Sequence, residues 1–110
     1  MYNKPKTGIR EFTDFDLRVG QAWSLHIRKN YGEAVEAYRK LLDEWGDHID
    51  ANFGLALTYK GMGQASKAAE AFRKTESLIR AEIGKTADEH SRFPMLLKLV
   101  TQHLAEIVKG

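Results

Sequence analysis

No cysteine occurs among the 110 residues, which excludes disulfide scaffolds, thiolate metal sites and cysteine nucleophiles. Long apolar runs are missing too. The most apolar stretch, FPMLLKLV (93–100), is far too short to cross a bilayer, and the opening MYNKPKTGIREF has no apolar core of signal-peptide length. A cytoplasmic protein without membrane contact is therefore expected. Charge of one sign is also scarce: 17 basic against 15 acidic residues leave a formal charge of +2. They are mixed along the chain, as at Arg39, Lys40, Asp43 and Glu44, in the manner of solvated helix faces. Beyond Lys4, Lys6 and Arg10 there is no basic stripe able to neutralise several phosphates, so no nucleic acid is expected as a partner.

What is present is helical periodicity. Residues 1–13 lack any period and read as a flexible arm; residues 14–110 read as one helical domain. Thr13, with Asp16 three residues on, forms an approximate capping box for a helix from about Asp14 to Lys29. Asn30 and Gly32 interrupt it. A second helix carries Ala34, Tyr38, Leu41 and Leu42 on one face, and Gly46 supplies a left-handed stop. Asp47 or Asp50 is predicted to cap a third helix, which carries Phe53, Leu55, Ala56, Leu57 and Tyr59 and is closed by Gly61 and Gly63. A fourth begins near Gln64 and runs past Leu78, with Gly84 a weak point. Pro94 fits the first turn of a last helix ending near Lys109, with Leu97, Val100, Leu104, Ile107 and Val108 on one side. Nothing reads as a strand.

Two stretches repeat each other. In RVGQAWSLHIRKNYGEAVEAY (18–38) and NFGLALTYKGMGQASKAAEAF (52–72), Ala22 matches Ala56, Leu25 matches Tyr59, Ala34 matches Ala68 and Tyr38 matches Phe72, each thirty-four residues apart. A helix pair recurring at that period has alanines where two helices approach closely and an aromatic filling the space beside them. On these residues the chain resembles the tetratricopeptide repeat family. The second copy keeps Leu55, Ala56, Tyr59, Gly63, Ala68 and Phe72 of the family pattern; the first has Leu25 where a tyrosine is usual and Gly46 where a proline is usual. The resemblance implies an all-α fold of antiparallel helix-turn-helix repeats in a right-handed superhelical stack. Repeat 1 would span about 15–48, repeat 2 about 49–82, and the helix at about 94–109 would act as a C-terminal cap. Extending the period again puts His90, Gln102 and Glu106 at the motif positions, so no third repeat is expected.

In this family the first helix of each repeat lines a concave groove that takes a partner segment. Carried over, the groove consists of Val19, Trp23, His26 and Ile27 from the first helix and Phe53, Leu57 and Lys60 from the third. The lysine, asparagine and arginine with which one subgroup clamps chaperone C-terminal carboxylates are replaced here by Val19, Trp23 and Gly54, so that function is rejected. The third helix is apolar nearly all round and needs cover on two sides. One side is covered by the repeats; the C-terminal helix, a partner protein or a second copy of the chain must cover the other. The expected function is protein–protein interaction, with a protein or peptide held in an apolar groove. The alternative is a homodimerising assembly domain that fills its own groove.

An enzyme or metal protein is the third reading. His48, between Asp47 and Asp50, offers one imidazole and two carboxylates, but capping by the acids with an exposed histidine explains the segment without a metal. His90 reads as a polar helix end, and His26 and His103 sit at the edges of apolar stripes. Gly61 and Gly63 lack the preceding strand and the lysine-hydroxyl ending of a phosphate-binding loop, and Ser24, Ser66, Ser77 and Ser91 have no base at usable spacing. No cofactor, metal or small-molecule substrate is expected, and no enzyme activity.

Overall fold

The described residues form five helices: α1 (Asp14–Ile27), α2 (Tyr31–Glu44), α3 (Ile49–Gly61), α4 (Ala65–Lys85) and α5 (Phe93–Lys109). They are taken from a computed structural model, which describes residues 13–85 and 92–109. The expected N-terminal arm lies outside the described residues apart from Thr13, as does His90. Among the described residues there is no strand, and no helix is long and apolar enough to cross a membrane.

The caps show why the helices begin and end where they do. Thr13 closes the expected box: its hydroxyl accepts from the Asp16 N–H at 3.2 Å, and its own N–H donates to the Asp16 carboxylate at 2.9 Å. Two orphan donors of the first turn are thereby satisfied. After α1 the turn is made by Lys29, whose φ of 64° puts a non-glycine residue in the left-handed region. After α3 the same task falls to Gly63 at φ 76°. Gly46 has no such conformation. The chain leaves α2 through Trp45, which is non-helical at φ −145°, ψ 85°, so the expected left-handed stop at Gly46 is corrected. Gly84 lies inside α4 and does not break it.

Consecutive helices pack on one another, and two cores result. The first joins Phe15 and Ala22 of α1, Ala34, Tyr38 and Leu41 of α2 and Ala51 of α3. The second joins Ala56 of α3, Ala68, Phe72 and Ile79 of α4 and Leu96 and Val100 of α5. Both matched alanine pairs, Ala22 with Ala56 and Ala34 with Ala68, are fully buried. Complete burial of so small a side chain puts the neighbouring helix in close contact, where a larger residue would overpack. On α5, Val100 is buried and Leu97, Leu104 and Ile107 pack against the second core, but Val108, expected on the same side, does not. Leu96 is buried, whereas Val108 is 71% exposed.

α3 is the centre of the molecule. From Ile49 to Lys60 no residue is exposed; buried and half-buried positions alternate from Asn52 to Tyr59. His26 near the end of α1 meets Thr58 near the end of α3, so these helices run in the same direction. α5 also runs parallel to α3, because Arg92 forms a two-pronged ion pair with Asp50 at one end (2.9 and 3.1 Å) and Lys60 pairs with Glu106 at the other. The C-terminal helix thus packs on α4 and reaches across to α3 through paired charges.

Candidate functional site

The seven residues carried over to a groove fall into two sets with different surroundings. On α1, Val19 is half-buried against the first core, while Trp23 is 40% and Ile27 61% exposed. Trp23 lies flat on His26, with centroids 4.6 Å apart and planes 12° from parallel. The ring of His26 also meets Tyr31 edge-on at 5.5 Å. A large apolar ring held on one face and open to water on the other is a preorganised contact surface.

On α3, Phe53 and Leu57 are half-buried against the second core. Phe53 faces Phe72 and His103, each at 6.2 Å between centroids. Lys60 is engaged by α5, its ammonium donating to His103 Nδ1 at 2.8 Å and to Glu106. It is a structural cation and not a free hand for a ligand carboxylate. α5 therefore takes part of the surface that the sequence offered to a partner. The open apolar part belongs to α1.

Hydrogen bonding assigns the histidine tautomers. Thr58 donates its only hydroxyl proton to the Gly54 carbonyl at 2.8 Å. The 3.0 Å contact between Thr58 Oγ1 and His26 Nδ1 is then an N–H donated by the histidine. At His103 the polarity is reversed. Lysine has only donors, so His103 Nδ1 accepts and its proton is on Nε2. Burial holds both histidines below the ordinary histidine range; at His103 the neighbouring Lys60 adds to this and Glu106 opposes it.

His48 differs from expectation. It is 5% exposed, enclosed by Phe15 at 4.8 Å and Trp45 at 4.5 Å, and it caps α3 itself: Nδ1 accepts the Ala51 N–H at 3.1 Å. Neither Asp47 nor Asp50 is the cap, and Asp50 faces Arg92. Among the described residues no group of three or more histidine, aspartate or glutamate side chains is placed to hold a metal ion.

One feature has no counterpart in the sequence reading. An open cleft of about 670 Å³ lies between α1 and α2, lined by Arg18, Gln21, Leu25, Glu36 and Lys40 among others. Its rim is bridged nearby by the Arg18–Glu44 ion pair, which lowers the carboxylate's proton affinity and raises that of the guanidinium. None of the seven groove residues lines it. Only one signal in the sequence bore on it, the mixed charge of Glu33, Glu36 and Lys40 on the outer face of α2.

No protein-family model, curated protein or solved structure matches the chain.

Proposed function

We propose that this chain is a small interaction module of the tetratricopeptide type, which holds a segment of a partner polypeptide against α1 and α3 without covalent chemistry. The thirty-four-residue recurrence supports the reading, and so does the order of packing, in which each helix lies on the next and α1 also touches α3. The observation that carries it is the open apolar strip of α1. Trp23 and Ile27 stand 40% and 61% exposed at helical spacing, on a helix whose adjacent side buries Phe15 and Ala22. Large apolar groups with ordered backing dominate binding energy where they meet a partner.

The test is selection from a displayed peptide library, followed by titration of the enriched peptides against the native chain and Trp23→Ala. Loss of about tenfold or more in affinity, with helix content unchanged by circular dichroism, is expected for an anchor residue. Equal affinity would remove α1 from the interface. Self-association is the competing use of the same strip, favoured by a second apolar exposure on α5, where Met95 is 72% and Leu99 43% exposed. Light scattering across a wide concentration range separates the two: a dimer that persists on dilution consumes the strip, and a monomer leaves it open.

A further inference from the structure

The contact between α3 and the C-terminal half of α5 joins Phe53 and Lys60 to His103 and Glu106. The His103 ring lies on Phe72, with centroids 5.1 Å apart and planes 4° from parallel, and meets Phe53 edge-on at 6.2 Å. Its Nδ1 accepts from the Lys60 ammonium at 2.8 Å, and Lys60 also donates to Glu106, three residues further along α5. The charges acting on the ring are Lys60 from α3 and Glu106 from its own helix; α4 contributes the neutral Phe72 ring.

Protonation of Nδ1 would act in three ways. It removes the acceptor for Lys60, it sets two cations within hydrogen-bonding distance, and it places charge in a slot walled by two phenyl rings. Glu106 is already engaged by Lys60 and has to serve both cations. His26, which bonds α3 from α1, responds differently at that bond. Its Nδ1–H is the donor to Thr58, and a second proton on Nε2 leaves that bond in place. The hydrogen bond of His26 to α3 therefore survives protonation, and that of His103 does not.

We propose that the C-terminal half of α5 is a proton-operated flap on α3, clamped through neutral His103 and released by its protonation, which uncovers Phe53. The movement of α5 does not depend on what binds the uncovered surface. The sign follows from linkage. Because the folded chain favours the neutral ring, the clamp is at full strength above the ordinary histidine value of about 6.5 and weakens as the pH falls below it, through the lowered value of the folded state.

Hydrogen exchange of the intact chain, compared at about pH 7.5 and about pH 5 with intrinsic rates corrected, tests this directly. Residues 101–108 are expected to lose about tenfold of their protection in acid, more than any other helix loses. Retained protection in that segment, or an equal loss in all helices, would overturn the proposal. His103→Phe keeps a ring on Phe72 and has no site to protonate, so the acid response of residues 101–108 should vanish; its persistence would exclude His103 as the trigger. An NMR titration gives a readout independent of folding: the His103 midpoint should lie below the ordinary value and rise in Lys60→Met, and a midpoint that ignores Lys60 would refute the clamp.

Discussion

The passage from α2 to α3 and the passage from α4 to α5 begin from the same place in the thirty-four-residue pattern and end differently. Tyr38 and Phe72 are matched positions, 1% and 0% exposed, and each aims its ring at the helix that follows. Tyr38 meets a glycine: a Cβ on Gly54 would lie 2.3 Å from Tyr38 Cζ, so the ring rests on the backbone of α3 itself. Burial, with a smaller contribution from Asp50, pushes the Tyr38 phenol well above its usual range, so it stays neutral throughout the ordinary pH range. Phe72 instead meets the imidazole of His103, which is tied to charge. A matched residue sets the outline of a junction, and its neighbour decides whether that junction is inert or titratable.

Three substitutions bear on this contrast. Phe72→Ala should cost the most, about 3–5 kcal/mol, because the ring supports α3, α4 and α5 together. Urea unfolding would measure it, and a loss below about 1 kcal/mol would mean that α5 does not need the ring. Gly54→Ala comes next, at about 1–3 kcal/mol, since the added methyl has to displace a buried ring from the helix it touches. A neutral outcome would show that Tyr38 has somewhere else to go. The smallest effect has the opposite sign. Gly84→Ala, with nothing within 4 Å of the new methyl, should stabilise α4 by about 0.5–1 kcal/mol, raising the melting temperature slightly; a loss there would contradict an open helical site.

Local chemistry was legible in the sequence wherever the cause lay within a few residues. The Thr13–Asp16 box, the close of α3 at Gly63 and the run of α4 past Leu78 all rest on neighbours three or four positions away. The misreadings have distant causes. His48 was passed over as a cap because two acids flank it, but Phe15 and Trp45 bury the imidazole and aim it at the first turn of α3. Lys60 reads as a groove residue until α5 folds back and supplies partners 43 and 46 positions along. Val108 shares the apolar period of α5 yet is exposed, because the buried stripe is centred on Leu96, Val100 and Ile107 and Val108 falls at its edge. Periodicity shows that a helix has an apolar side, and the neighbouring helix determines which part of that side is buried.

The enclosure of α3 has a last consequence, for how far the chain can be divided. Its sequence suggests two interchangeable units, each able to be removed or multiplied. Cut before α3, however, the N-terminal portion would turn the Tyr38 ring out to water, and cut after it, the C-terminal portion would do the same to Ala68 and Phe72. One helix serves as the inner wall of both cores. What reads as a doubling is, in three dimensions, a single indivisible object with a shared middle.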